Sequence, residues 1–425
     1  MLMILFISFL VLMTMGIPIG FAMAISSLIA LVANAAPLFV IVQRMITSVD
    51  SFSLMAIPFF MVAGELMDSG GISRRLVRFA NACVGSITGG LGMTCVLSSA
   101  IFAGISGSAS ADTAAIGTIM MPSMIKNGYP KGYAASLQAC AGALGPIIPP
   151  SLIMIIYGTI TGLSIGELFM AGAIPGVCIA VGLMIVNYFM AEKEGIKPEG
   201  KFRLEELAES FIDSIWALIA PFIVIGGILG GVFTATEAGV ILAVYSFVVG
   251  LFVYKEYRIR DLPRILKKAA TTTSMIMIIV AGASVFGWIL ASQQFPELAS
   301  TFLLSLSDNP NVIMFLIVVF LFIVGCFVET IAAAVILIPI LSAVGLQFGF
   351  DPVHFATVIA MCLILGGITP PVGVLLFITQ AIAKITMKEV LKYLLPFALV
   401  PWIVVLALAY IPEMATFLPS LMFAK

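Results

Sequence analysis

Twice in this 425-residue chain an apolar stretch long enough to cross a bilayer is broken in its middle by glycine and a pair of prolines. The breaks are Gly145-Pro-Ile-Ile-Pro-Pro150, within 134–160, and Gly366-Gly-Ile-Thr-Pro-Pro371, within 352–383. Two adjacent prolines remove two backbone donors and their rings clash with the preceding turn, so neither stretch continues as a regular helix. In hydrocarbon an unpaired backbone group costs several kcal/mol, and irregular backbone survives at that depth only where protein buries it or it lines a cavity. Few folds satisfy that requirement twice.

That the surrounding solvent is lipid follows from composition. Hydrophobic residues make up 62% of the chain and charged residues 10%, with a mean hydropathy of +1.21. A soluble domain carries roughly a quarter charged residues and somewhat under half apolar ones. A crossing helix needs about 20 mostly apolar residues. Such stretches lie near 3–33, 52–69, 134–160, 172–190, 214–233, 236–254, 270–291, 352–383 and 393–411, which predicts an all-α polytopic membrane protein with nine crossings. Residues 1–33 lack a basic leading segment and a small-residue cleavage site at the usual length, so they read as a retained span. No basic patch of the kind a phosphate backbone needs is present, so no nucleic-acid partner is expected. The cysteines Cys83, Cys95, Cys140, Cys178, Cys326 and Cys362 have no close pairs and read as small hydrophobes.

Two further apolar segments, 87–125 and 311–345, contain a small or polar break, Gly104 to Thr113 in the first and Gly325 to Thr330 in the second. Each is expected to form a re-entrant helical hairpin that enters and leaves on one side. The hairpins and the broken spans are also copies of each other. Gly145–Pro150 aligns with Gly366–Pro371 at an offset of 366 − 145 = 221, which also pairs Gly128 with Gly349 and Pro175 with Pro396. Upstream, Ala111–Ala115 matches Val328–Ala332 at 328 − 111 = 217. The chain therefore divides into a first repeat at 1–190, a linker and linking span at 191–235, and a second repeat at 236–425.

Cytoplasmic loops collect Lys and Arg, and corresponding loops of the two copies carry opposite biases. Segment 34–47 holds only Arg44, whereas 255–268 holds Lys255, Arg258, Arg260, Arg264, Lys267 and Lys268. Arg74, Arg75 and Arg78 in 72–80 face a base-free 294–308. Lys126 and Lys131 face a base-free 347–354, and a base-free 163–171 faces Lys384, Lys388 and Lys392. The copies are thus expected to be inverted, with the N-terminus cytoplasmic and the C-terminus periplasmic.

Inverted repeats with discontinuous helices mark secondary transporters. Freed carbonyls suit sodium, and half-helix N-termini carry partial positive charge that suits a carboxylate. The polar candidates at the tips are Ser106, Ser108, Ser110, Asp112 and Thr113, then Glu329 and Thr330, with Thr369 in the second break. Acids within a membrane are functional candidates, although Asp112 and Glu329 equally suit the caps of the helices that follow. Glu65 and Glu237 read as structural pairs. No Lys or Arg stands at either tip or break.

Pro58–Met67, Gly107–Gly117, Gly145–Ser151, Phe233–Gly239 and Gly366–Gly373 together resemble the large membrane subunit of tripartite ATP-independent periplasmic (TRAP) transporters, over essentially the whole chain. The resemblance implies an elevator-type transporter of the bacterial inner membrane, coupled to sodium and without an organic cofactor. Its implied partners are a small four-helix membrane subunit, expected as a separate chain, and a periplasmic substrate-binding protein that delivers an organic acid such as sialic acid or a C4-dicarboxylate. Carried over by position, one sodium is expected between Ser106–Ser108 and the carbonyls of Gly145, Ile148 and Pro150. A second is expected between Gly325, Glu329 and Thr330 and the Gly366–Thr369 stretch. Substrate is expected near Ser108, Ser110, Asp112, Thr330 and Thr369. Segments Gly71–Val84 and Phe295–Ser307 are the expected arms between scaffold and moving domain, with Arg74, Arg75 and Arg78 anchored at lipid headgroups.

Other functions fit poorly. Gly104-Ile-Ser-Gly107 has the form of a serine-protease motif, but a nucleophilic serine needs a base, and the only histidine, His354, is expected at the far membrane face. No nucleotide-binding Gly-x-x-x-x-Gly-Lys-Ser/Thr loop occurs, which argues against a pump. A passive channel shares the broken helices and differs in being unable to concentrate its substrate.

Overall fold

The computed structural model describes residues 1–198 and 200–423, which are helical throughout with no strand among them. The first half contains α1 (Leu2–Thr14), α2 (Ile19–Ala33), α3 (Phe39–Val49), α4 (Ala56–Ser69) and α5 (Ile72–Val84). It continues with α6 (Gly90–Ser106), α7 (Ala109–Lys126), α8 (Lys131–Gly142), α9 (Leu152–Thr161) and α10 (Ile165–Lys193). The second half opens with α11 (Leu204–Leu229), α12 (Ala235–Val248), α13 (Leu262–Ser292) and α14 (Phe295–Leu306). Then come α15 (Pro310–Phe327), α16 (Thr330–Gln347), α17 (Pro352–Gly366), α18 (Val374–Ala383), α19 (Met387–Tyr410) and the terminal α20 (Glu413–Phe423). The order of two hairpin helices, two half-helices and one long helix in α6–α10 recurs in α15–α19.

Seven helices among the described residues are long and apolar enough to cross a membrane, and α15 and α16 of the second hairpin are two of them, at 18 residues each. Large apolar side chains such as Phe222, Met3 and Phe39 stand exposed on the outer surface, which suits a lipid solvent. The stretch 3–33, expected as one span, is instead α1 and α2 packed on each other. Gly16, in the left-handed region at φ +80°, and Pro18 interrupt the helix there.

Two packed groups of helices emerge. One gathers α1–α4 with α11–α13; the other gathers the hairpins, half-helices and long helices of both halves. At the centre of the second group lies α8, whose Lys131–Gly142 run is rich in Ala, Gly and Ser and is buried from Gly132 to Gly142. Small residues let backbones approach closely where lipid supplies no hydrophobic drive between helices. A Cβ on Gly132 would strike the carbonyl oxygen of Glu389 on α19, so the two halves interlock here with no room for a side chain.

Helices α5 and α14 take equivalent places and connect the groups. The α5 arginines, expected at headgroups, are held by protein. Arg75 pairs with Asp213 at 3.4 Å and Glu256 at 3.0 Å and lies 3.8 Å over the Tyr254 ring. Arg74 pairs with Glu256 at 3.1 Å and Arg78 with Asp213 at 3.5 Å. Those acids sit well over a hundred residues away in sequence, which is why the local pattern did not reveal them.

Candidate functional site

The first hairpin turns at Ser106-Gly107-Ser108. Gly107 takes the left-handed region at φ +61°, and Ser108, in extended backbone, caps α7 by accepting from the Ala111 amide at 3.5 Å. The Ser108 and Ser110 hydroxyls lie 3.2 Å apart. This turn rests directly on the first break: the Leu152 amide donates to the Gly107 carbonyl at 3.3 Å. A Cβ on Gly107 would lie 2.8 Å from the Pro150 carbonyl oxygen, and one on Gly145 would lie 2.7 Å from that of Ser108. Glycine at both positions is what allows backbone to meet backbone. Ser151 then caps α9 and donates to the Pro146 carbonyl at 2.5 Å.

The second hairpin repeats this plan with different side chains. Glu329 is the N-cap of α16, its carboxylate accepting from the Ala332 amide at 3.0 Å, and Thr330 donates to the Leu363 carbonyl at 3.5 Å. Gly325 and Gly366 lie back to back, so that a Cβ on Gly366 would collide with the Gly325 backbone. Thr369 donates to the Leu365 carbonyl at 2.8 Å. Both breaks contain a cis prolyl peptide, at Pro149-Pro150 and Pro370-Pro371.

Both tips open on one cavity of about 280 Å³. Ser108, Ser110, Glu329 and Thr330 line it on one side, and Thr272, Met275 and Ile276 of α13 on the other. It contains the N-terminal turns of α7 and α16 and no Lys or Arg. Exposed amides and helix dipoles at two N-termini favour an anion, while hydroxyls and freed carbonyls favour a small hard cation.

Of the residues expected at the site, Ser108, Ser110, Glu329 and Thr330 line the cavity, and Gly367 and Pro146 bring the breaks to its wall. Ser106, Gly145 and Pro150 meet at the first tip-to-break contact, and Gly325, Gly366 and Thr369 cluster at the second. Ile148 belongs to the first break but turns its side chain toward Gly176 of α10. Asp112 and Thr369 are not among the cavity-lining residues, contrary to the expected substrate region. Asp112 sits one turn inside α7, fully buried, and caps nothing. Thr272 was missed; the only sequence signal is the Thr271-Thr272-Thr273-Ser274 run inside an apolar span, and hydroxyls are common in such helices.

The remaining acids of the spans are paired. Glu65 meets Lys268 at 2.8 Å, and Glu237 closes a capping box with Thr234. His354 is buried, with its Nε2 2.7 Å from the Leu408 carbonyl, so its ring is engaged in packing α17 against α19.

The family model described as the DctM component of tripartite ATP-independent periplasmic transporters matches residues 6–414. Over 408 residues the chain is 37% identical to the sialic acid TRAP transporter large permease protein SiaM of Vibrio cholerae, covering 96% of this chain and 95% of that protein. It is 35% identical over 371 residues to the C4-dicarboxylate TRAP transporter large permease protein DctM of Pseudomonas aeruginosa, covering 87% of each. Among solved structures, the YdaH transporter of Alcanivorax borkumensis matches with a TM-score of 0.64 over 88% of each chain at 13% identity, a likeness of fold alone.

Proposed function

The chain belongs to the DctM component family of tripartite ATP-independent periplasmic transporters, and from that premise we propose that it is the subunit through which sodium drives an organic acid across the inner membrane. It is a multi-pass membrane transport protein and not an enzyme. The observation that carries the proposal is the convergence of two hairpin tips and two helix breaks on one cavity free of basic side chains.

The chemistry follows from the groups present. An organic carboxylate in this cavity meets the N-termini of α7 and α16, the hydroxyls of Ser108, Ser110 and Thr330, and Thr272 across the gap. Glu329 is open to the cavity and repels that anion unless a cation stands between them. Sodium held by Glu329 and Thr330 with the Gly325 and Gly366–Thr369 backbone supplies it. A second ion between Ser106–Ser108 and the Gly145, Ile148 and Pro150 carbonyls braces the other tip. Substrate affinity then depends on sodium without any lysine or arginine. The names of the relatives point to sialic acid or a C4-dicarboxylate as cargo.

In this reading the hairpins are re-entrant, the copies are inverted with the N-terminus cytoplasmic, and α5 and α14 are the arms on which the hairpin group slides past α1–α4 and α11–α13. A small four-helix subunit flanks the scaffold, and a periplasmic binding protein delivers substrate. The test is uptake of labelled sialic acid and C4-dicarboxylates into proteoliposomes holding this chain and its small subunit, with binding protein outside and no ATP. Accumulation that needs both an inward sodium gradient and the binding protein supports the proposal. Flux that only equilibrates and ignores sodium overturns it in favour of a channel.

A further inference from the structure

Asp112 is fully buried, and neither carboxylate oxygen makes a well-formed hydrogen bond in the protein, with the Ser99 hydroxyl beside it as a donor. It is not alone. The hydroxyls of Ser99 and Thr113 and the Gln138 amide nitrogen are also buried without well-formed hydrogen bonds. These groups come from α6, α7 and α8, which pack on one another. Asp112 of α7 faces Cys95 and Ser99, which lie one turn apart on α6. The Cys95 thiol donates to the Gln138 side-chain oxygen on α8 at 2.9 Å. Thr113 packs against Gly142 of α8, where a Cβ would strike its hydroxyl, and Gln138 packs against Gly117 of α7.

An ionised carboxylate buried without donors or a counter-charge costs several kcal/mol. Elsewhere the acids of the spans are satisfied, as Glu65 is by Lys268, Glu237 by Thr234, Glu329 by the Ala332 amide and Glu389 by Thr386. We infer that Asp112, with the Ser99 and Thr113 hydroxyls, forms a sodium site on the buried face of the first hairpin, separate from the two tip sites. Carboxylate and hydroxyl oxygens are hard ligands suited to such an ion. One acid balances one monovalent charge. No three His, Cys, Asp or Glu side chains gather among the described residues to hold a divalent ion.

The second copy makes the same point by contrast. The hairpin helices of the two copies match at an offset of 330 − 109 = 221, at which Cys95, Ser99 and Gln138 become Leu316, Phe320 and Ile359. Asp112 and Thr113 become Ala333 and Ala334, while Glu329 matches the cap Ser108 and lies at the cavity. Duplication of the backbone therefore did not require a polar cluster here, and only the first copy has one. An ion at this place ties α6 to α7 one turn behind the Ser108 tip.

The inference rests on the sodium-coupled reading only for its role in transport, and binding tests it directly. The measurement is the number of radiolabelled sodium ions bound by the purified complex of large and small subunits, with thermal stability followed against sodium chloride and choline chloride. Asp112→Asn is expected to remove one ion per complex and to shrink the sodium-specific stabilisation, while the tip sites still bind. Should that variant fail to yield a folded complex, Ser99→Ala and Thr113→Val are each expected to weaken one ion about tenfold. Unchanged stoichiometry in Asp112→Asn, or unchanged affinities in both hydroxyl variants, overturns the site. So does a variant that keeps every ion but loses a pH dependence of stability, because Asp112 is then held as a neutral acid. A wild-type complex that binds no sodium at all overturns the coupling reading itself along with this site.

Discussion

The two hairpin tips occupy equivalent places in the two copies, yet their acids stand one turn apart, one buried and one at the cavity. In the first copy the tip is capped by a hydroxyl, Ser108, and Asp112 lies one turn along, fully buried behind it. In the second copy the acid is itself the cap, so Glu329 stands at the cavity, and the positions that match Cys95 and Gln138 hold Leu316 and Ile359. The backbone plan is shared because glycines and prolines dictate it. Polarity is divided differently: the first copy buries its acid and the second sets it at the cavity. The duplicated fold is therefore a symmetric frame around an asymmetric site.

The largest effect is expected where the frame itself is challenged. Gly366→Ala forces a methyl into the Gly325 backbone, whereas Gly145→Ala approaches the Ser108 carbonyl at 2.7 Å. Overpacking typically costs about 1–3 kcal/mol, and two apposed main chains have little freedom to yield. Gly366→Ala is expected at or above the upper end and Gly145→Ala below it, read as loss of thermal stability of the purified complex. Equal losses would mean that the two junctions are equally tight. Next is Glu329→Gln, which keeps an oxygen to cap α16 and removes the cavity charge. Folding is expected to hold while the sodium needed for half-maximal uptake rises about tenfold or more. A Glu329→Gln protein with a normal sodium titration would remove the acid from the second site. Smaller still are Ser106→Ala and Thr369→Ala, each deleting one hydroxyl at a junction. Both should weaken sodium dependence more than expression, and unchanged titrations in both would sink the tip assignments.

How far the sequence carried these conclusions depends on the range of the interactions involved. The breaks at 145–150 and 366–371 were legible because proline and glycine act on their own backbone. The break between α1 and α2 was written just as locally, in Gly16 and Pro18, but it lies inside a continuous apolar run; the 31-residue length of 3–33 was the overlooked hint. The direction of Asp112 was not legible. Successive residues on a helix differ by about 100°, so facing the cavity or facing α6 is a matter of one or two positions, and only packing against Cys95 and Ser99 decides it. Thr272 reaches the cavity from a helix more than 140 residues beyond the first tip, with no local mark to separate it from its neighbours in the Thr271–Ser274 run.

The connecting helices α5 and α14 repeat the lesson and allow the mildest test of it. Helix α5 is pinned to α11 and the segment after α12 by Arg75, which is largely buried between Asp213, Glu256 and Tyr254, whereas α14 makes no ion pair among the described residues. Exposed ion pairs contribute at most about 1 kcal/mol and often nothing measurable, so the three arginines should differ by exposure. The Arg74 side chain is 69% exposed and that of Arg75 is 18% exposed. Arg75→Ala loses two pairs and the ring contact and is expected to cost about 1–2 kcal/mol; Arg74→Ala should stay within about 0.5 kcal/mol. Thermal unfolding of both variants in low and high salt separates the cases. If Arg75→Ala is as mild as Arg74→Ala, α5 is as free as α14, and the asymmetry between the copies is confined to the tips.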